Sequence, residues 1–192
     1  NIQAKQVIVG NDFKFGARRE GDVDSLIKSG IDVCIMEKVQ DKGERVSSTM
    51  TRILLANGDL DRASNILGRP YSISGKVVHG DKRGREIGFP TANIHMFHNR
   101  PPLKGVFAVK LNGIAGVANL GVRPTIAGVS KLHLEVHLFD FSADLYGKHA
   151  KVIFLQKVRD EKKFKDIEAL KDQIKIDIKK AKFFLEDYDR RK

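Results

Sequence analysis

The chain has little of what marks several common protein classes. It contains no tryptophan in 192 residues. It has one cysteine, which excludes an internal disulfide. No apolar run approaches the roughly 20 residues of a membrane-spanning helix, and no signal-peptide pattern is visible. Glycine and proline are too few for a disordered polymer, whereas apolar residues, at 41%, suffice for a core. We therefore expect a soluble, cytoplasmic protein.

The single cysteine and the first residue each support an expectation. Cys34 lies in the apolar run 31–36, where a buried, inert thiol is expected. The chain begins with Asn1 and runs directly into the strand-like segment 6–9, which is typical of a cut inside a fold. We therefore expect a fragment of a longer protein.

The charge balance bears on the choice of partner. The formal net charge is +11, which would suit nucleic acid. However, basic residues are repeatedly interrupted by acids, as in residues 162–168, and no zinc-finger or RNA-recognition signature appears. A solvated basic surface that tolerates phosphate-rich ligands is favoured, with no nucleic acid and no membrane as partner. The oligomeric state stays open.

The first third of the chain has the pattern of an α/β fold. Short buried-strand runs at 7–9 and 33–36 flank a helical segment that Asp22 can cap. Two further helices follow, separated by Asn57-Gly58 and closed by Gly68. We therefore predict a domain boundary there, with domains at 1–67 and 68–192.

From residue 71 to about 155 the hydrophobic period changes to two, with glycine-rich turns. This pattern indicates a small barrel or sandwich. The predicted strands are 72–78, 105–111, 114–120, 132–138 and 150–155. A helical spacing then returns, and its apolar stripe should pack on the barrel: Ile167, Leu170, Ile174, Ile178, Ala181 and Leu185.

A basic, glycine-rich segment at 80–93 is the densest candidate for chemistry. Its glycines let the backbone approach a polyanion, and Lys82 and Arg85 would supply positive charge. It lacks the Gly-Lys-Ser/Thr ending of the usual phosphate loop, so a basic surface loop is the commoner explanation. Thr91 and Asn93 share a face if the segment is extended, and offer neutral oxygens suited to Mg²⁺. A strand end or turn is the alternative.

The segment 132–138 alternates strictly, with leucines and a valine on one face. His133, Glu135 and His137 lie on the other. This polar face suits a metal site of two histidines and a carboxylate, a solvated strand face, or a general base, Glu135, with supporting histidines. Spacing alone does not separate these three.

Two weaker patterns remain. In residues 159–164, Phe164 could stack on an aromatic ring while Arg159 and Lys162 meet an anion. In residues 47–52, hydroxyls and a helix N-terminus could bind phosphate, although a plain capping motif explains them as well.

Taken in order, these segments resemble the bifunctional riboflavin kinase/FMN adenylyltransferase (FAD synthetase) family of bacteria. The resemblance covers nearly the whole chain, and several spaced motifs in register are more specific than any one of them. The matching segments are 9–16, 47–52, 68–75, 88–93, 117–125, 134–138, 144–147 and 159–164.

The resemblance implies an α+β fold: a six-stranded antiparallel Greek-key barrel with a C-terminal helix, preceded by the rear of an α/β nucleotidyltransferase-type domain. It implies Mg²⁺-dependent transfer of the ATP γ-phosphate to the 5′-hydroxyl of riboflavin, giving FMN. The implied roles are: Glu135 as base; Gly80, Lys82, Arg85, Thr91 and Tyr146 at ATP; Thr91 and Asn93 at Mg²⁺; Arg159, Lys162 and Phe164 at the flavin.

The resemblance also implies an adenylyltransferase remnant with site residues Asp12, Phe13, Ser48, Thr49 and Arg52. Such domains have a His-x-x-His or His-x-Gly-His phosphate site near their start, and this sequence contains neither motif. We therefore expect FAD synthesis only from a full-length protein. The alternative functions are a metal-dependent barrel enzyme using His133, Glu135 and His137, or a non-catalytic flavin- or nucleic-acid-binding module.

Overall fold

The protein is described by a computed structural model that covers residues 5–37, 39–41, 44–80, 83–96, 101–123 and 131–191. The chain forms two compact units, Asn1–Ser47 and Ser48–Lys192. Within the described part of the chain, no helix combines the length and apolarity that crossing a membrane takes.

The first unit is built around a pair of parallel strands. Strand β1 (Gln6–Gly10) and strand β4 (Asp32–Met36) lie on the two predicted strand runs and pair with Val7 opposite Val33. The elements of this unit are β1 (Gln6–Gly10), β2 (Lys14–Phe15), β3 (Gly21–Asp22), α1 (Val23–Lys28), β4 (Asp32–Met36), β5 (Gln40–Asp41) and β6 (Glu44–Arg45).

Asp22 caps α1, as predicted. Its carboxylate accepts a hydrogen bond from the backbone N–H of Ser25 at 3.0 Å and another from the Ser25 hydroxyl at 2.8 Å. These two bonds, with help from Lys14, lower the pKa of the Asp22 carboxyl to about 2.

The prediction of a buried thiol in this unit is wrong. Cys34 is exposed, and so are its neighbours Ile35 and Met36 in β4. The apolar run does form a strand, which pairs with β1 and contacts α1, but these three side chains stay exposed. An apolar run therefore predicted the strand correctly and its burial incorrectly.

Two helices open the second unit: α2 (Ser48–Asn57) and α3 (Leu60–Leu67). The Asp59 side chain caps α3 by accepting from the N–H of Arg62 at 3.2 Å, and Gly68 ends it in the left-handed conformation with φ 67°. Leu55 and Ala63 are buried in the same hydrophobic cluster as the barrel interior. For this reason the compact units divide before α2, earlier than the boundary predicted at residue 68.

Six antiparallel strands close into the predicted barrel. Around it the order is β10-β11-β8-β7-β12-β9. Since β9, β10 and β11 follow one another and β12 returns beside β9, the topology is a Greek key. The strands are β7 (Ser72–Val78), β8 (Ala92–Met96), β9 (Gly105–Leu111), β10 (Ile114–Arg123), β11 (Lys131–Leu138) and β12 (His149–Arg159), with the short helix α4 (Arg83–Glu86) between β7 and β8.

Apolar residues from alternate strand positions fill the barrel. The rings of Phe107 and Phe154 meet edge to face, with centroids 5.4 Å apart. Leu134 and Val136, from the strictly alternating strand β11, are 1% and 0% exposed. The period-two pattern therefore identified the interior face correctly.

The chain ends in one long helix, α5 (Ile167–Arg190), capped by Asp166, whose carboxylate accepts from the N–H of Ala169 at 2.7 Å. Ala181 and Leu185 are buried against β9, β10 and β12, as the predicted stripe requires. Ile167, the first residue of the stripe, is 59% exposed because it lies in the first turn.

Candidate active site

A cavity of about 340 Å³ lies between the outer face of the barrel and α5; we call it the helix-side cavity. Strands β10 and β11 contribute Asn119, Glu135 and His137. Helix α5 contributes Leu170, Ile174 and Asp177, which share one face of the helix because they are spaced by four and three residues. Both walls of the cavity are mixed: the barrel adds Val106, Val117 and Ala118 to its polar residues, and the helix adds the charged Asp177 to its apolar ones.

Strand pairing sets the position of Glu135. It pairs with Asn119 of β10 on one side and Asn93 of β8 on the other. Directly opposed residues in antiparallel strands have Cβ atoms roughly 4.5–5.5 Å apart and point to the same face. One row of polar side chains, Asn93-Glu135-Asn119, therefore crosses three strands on the outside of the barrel.

A second cavity, of about 500 Å³, adjoins the residues after β11; we call it the loop-side cavity. Among its lining residues are Arg85, Thr91, Asp144 and Tyr146. Thr91 also lines the helix-side cavity. Ligands bound in the two cavities would therefore meet at Thr91. Thr91 precedes β8, the strand that pairs with the Glu135 strand β11.

The glycine-rich segment lies against this junction. A Cβ placed on Gly84 would lie 2.5 Å from the carbonyl oxygen of Phe89 and 3.2 Å from Oγ1 of Thr91. A Cβ on Gly80 would lie 2.5 Å from Cγ of Asn93. Both glycines thus let the backbone come close to the Thr91/Asn93 edge. Lys82 lies outside the described residues.

The donor set at this edge fits Mg²⁺. Thr91 and Asn93 offer neutral oxygens, and Glu135 lies directly across from Asn93. Mg²⁺ in nucleotide sites has few protein ligands and is completed by waters and substrate phosphates, so neutral oxygens with a carboxylate nearby suit it. Asn93 itself lines neither cavity and packs beneath Gly80.

The row of His133, Glu135 and His137 does not form a metal centre. His133 and His137 are four residues apart on β11, which at roughly 3.4 Å per residue separates their Cα atoms by about 14 Å, too far for both side chains to share one ion easily with Glu135. The Nδ1 of His137 lies 2.8 Å from the carbonyl oxygen of Pro90. Among the described residues, no group of three or more His, Cys, Asp or Glu side chains could hold a metal ion.

The three residues predicted at the flavin lie together at the end of the helix-side cavity. Arg159 and Lys162 stand over the Phe164 ring at 5.6 and 5.1 Å from its centroid. Register shifts in β12 between Lys157 and Arg159 alter the course of the strand just before this cluster. These three residues line the same cavity as Glu135, and their role at the flavin stays a prediction.

Tyr146 lies in the loop-side cavity and contacts His79, with ring centroids 3.9 Å apart. The pair brings together the residue before Gly80 and the loop after β11. The backbone N–H of Tyr146 donates a hydrogen bond to the Asp144 carboxylate at 2.8 Å, which stabilises this turn of the loop. The cavity thus has an aromatic surface beside Arg85.

The residues predicted for the adenylyltransferase remnant are divided between the two units. Asp12 and Phe13 lie in the turn after β1, where Phe13 stacks on Phe15 at 5.8 Å. Ser48, Thr49 and Arg52 are exposed on α2. The first group belongs to the unit Asn1–Ser47 and the second to the unit Ser48–Lys192.

The sequence did not identify Asn119, His79 or Asp177 as parts of the site. The first two carry no local signal, because strand pairing and a side-chain stack bring them in. Asp177 did carry one, since it is an acid on the face of α5 that otherwise holds Ile174 and Ala181. An interrupted apolar stripe could have identified it.

The chain matches known families along most of its length. The sequence pattern of the riboflavin kinase family (Flavokinase) matches residues 67–185, and that of the FAD synthetase family matches residues 1–50. The chain is 45% identical over 193 residues to the bifunctional riboflavin kinase/FMN adenylyltransferase of Escherichia coli (strain K12), covering 96% of this chain and 61% of that protein. The Pseudomonas fluorescens counterpart is 47% identical over 182 residues, covering 91% and 58%.

The chain thus spans about three-fifths of the length of the curated relatives it matches. A crystal structure described as a macrolide-efflux protein from Streptococcus pneumoniae has the same fold, with a TM-score of 0.74 at 34% identity over 92% of this chain and 59% of that one. The segment that matches the riboflavin kinase family, residues 67–185, contains all six strands of the barrel and all residues that line the two cavities. On this evidence the chain belongs to the riboflavin kinase family.

Proposed function

We propose that this chain transfers the γ-phosphate of ATP to the 5′-hydroxyl of riboflavin and so produces FMN. One observation carries the proposal. Glu135 stands between Asn93 and Asn119 in a cavity that shares Thr91 with a second cavity. A two-substrate transfer needs two adjoining binding sites with a proton acceptor near their junction.

The cavities suit different substrates. The helix-side cavity has apolar and aromatic walls, including Phe164, Ile174 and Leu170, which suit a flat flavin ring. The loop-side cavity has Arg85 and Tyr146, which suit a nucleotide with its phosphates. The ribityl chain of the flavin would then run along the barrel towards Glu135.

Glu135 acts as the base. It accepts the proton of the 5′-hydroxyl as that oxygen forms a bond to the γ-phosphorus, and the bond to the β–γ bridging oxygen breaks, releasing ADP. Mg²⁺, which Thr91 and Asn93 would hold with the phosphates, supplies charge neutralisation. Gly80 and Gly84 keep the backbone close enough for its N–H groups to approach the same phosphates.

The test is to incubate the chain with riboflavin, ATP and Mg²⁺ and to separate the flavins. FMN should appear, and Glu135→Gln should lower its rate by about 10²–10⁴-fold with the melting temperature unchanged. Glu168→Gln, a matched change in the exposed first turn of α5, should leave the rate unchanged. A near-wild-type rate for Glu135→Gln would show that another group is the base.

The same assay addresses the alternative functions. A binding module would retain riboflavin without consuming ATP, and a nucleic-acid-binding protein would show a salt-dependent affinity for single-stranded RNA. FAD formation is proposed only for the full-length protein. There Asp12, Phe13, Ser48, Thr49 and Arg52 would serve the adenylyl transfer.

A further inference from the structure

One acidic side chain of the helix-side cavity is buried. Asp177, on α5, is 3% exposed and is the only buried polar or charged residue among those the structure describes. It lines the cavity but lies at the opposite wall from Glu135. A buried carboxylate is costly unless it is paired and hydrogen-bonded, so its partners indicate its purpose.

Asp177 holds the guanidinium group of Arg159. The Nε of Arg159 donates to Oδ1 at 3.1 Å and to Oδ2 at 2.9 Å, and an Nη2–Oδ2 contact of 2.8 Å completes a two-pronged pair. The remaining Nη1 donates to the carbonyl oxygen of Asp160 at 2.8 Å. The guanidinium is therefore fixed in orientation, with its charge paired inside the protein.

A second path leads from Asp177 to Lys162. Gln173, one turn earlier on α5, donates from Nε2 to Oδ1 of Asp177 at 2.8 Å. Its Oε1 accepts a hydrogen bond from Nζ of Lys162. A single carboxylate thus fixes both cations that stand over the Phe164 ring.

We propose that Asp177 is a positioning residue for the flavin, acting on Phe164 through Arg159 and through Gln173 and Lys162. The inference rests on the proposed riboflavin kinase function. Because Arg159 is already paired, it serves the site by holding the Phe164 ring rather than by binding an anion. The wall that meets the flavin ring is then aromatic, with the Arg159 charge paired by Asp177, which suits a planar ring.

The test compares Asp177→Asn with wild type in the FMN assay, varying riboflavin and ATP separately. Asparagine keeps the shape but loses the charge and one acceptor. We expect KM for riboflavin to rise about tenfold or more, while KM for ATP stays within about twofold. Asp172→Asn, an exposed site on the same helix paired with Lys175, should change neither.

A double-mutant cycle separates positioning from general stability. If Asp177 acts through the Phe164 ring, Asp177→Asn should add little to the riboflavin KM of Phe164→Leu. Independent, multiplying effects on KM would overturn the proposal. Gln173→Ala, which removes the link to Lys162 and one donor to Asp177 but leaves the Arg159–Asp177 pair, should raise KM for riboflavin by a smaller factor. If Asp177→Asn does not fold, Gln173→Ala still tests the proposal, because an unchanged KM for riboflavin in that variant would refute it.

Failure of the two proposals would be distinguishable. A wild-type chain that makes no FMN would refute the kinase function itself. A wild-type chain that makes FMN, with Asp177→Asn showing the same KM for riboflavin or an equal rise in both KM values, would refute the role of Asp177 alone.

Discussion

The same strands form the inner and the outer face of the barrel, and the two faces have different roles. On the inner face, the largest fully buried side chains are all hydrocarbon, among them Phe107, Phe154 and Leu134. On the outer face, the row Asn93-Glu135-Asn119 is polar, and its members Glu135 and Asn119 line the helix-side cavity. Adjacent residues of β11 thus belong to the core and to the candidate site in turn.

The difference shows how a small barrel separates stability from chemistry. Strand alternation lets the interior be sealed with apolar residues while the exterior holds polar groups at fixed spacing. Because the inner core holds the backbone of β11, the polar side chains on its outer face need not contribute to folding, whereas other outer positions, such as Val106 and Ala108, pack with α5. Changes on the two faces should therefore have separable effects.

The largest effect on stability is expected inside. Leu134→Ala should lower the free energy of unfolding by about 2–5 kcal/mol, because it leaves a cavity in a well-packed core. The neighbouring change Glu135→Gln should alter it by less than about 0.5 kcal/mol. Denaturant unfolding of both variants measures the difference, and equal losses would break the comparison between the faces.

A smaller effect is expected at the Thr91/Asn93 edge. Asn93→Ala should raise the Mg²⁺ concentration needed for half-maximal FMN formation by about tenfold, since one oxygen ligand is lost. His95→Ala, two residues along the same strand and exposed, is the matched control. A Mg²⁺ titration identical to that of wild type would remove Asn93 from the metal site.

Local patterns predicted most of the elements. The cap at Asp22, the stop at Gly68 and the alternation in β11 each follow from short-range chemistry, and each is confirmed. For β8 the sequence predicts no more than an extended segment around Thr91 and Asn93. Its polar and mixed residues, Asn93 and His95 among them, carry a weak strand signal.

Long-range pairing could not be predicted in the same way. Nothing local shows that Asn119 and Asn93 flank Glu135, since that depends on the register of three strands. The burial of Cys34 was predicted wrongly for a related reason. An apolar run indicates a strand, whereas its burial depends on what the rest of the fold places over it.

The most direct test of the account follows the phosphate itself. The chain is mixed with riboflavin, Mg²⁺ and ATP labelled at the γ-phosphate, and the products of a single turnover are separated. The account predicts that the label moves into FMN, in equal amount to the ADP formed. Label released as free phosphate, or retained in ATP with riboflavin unchanged, would contradict it.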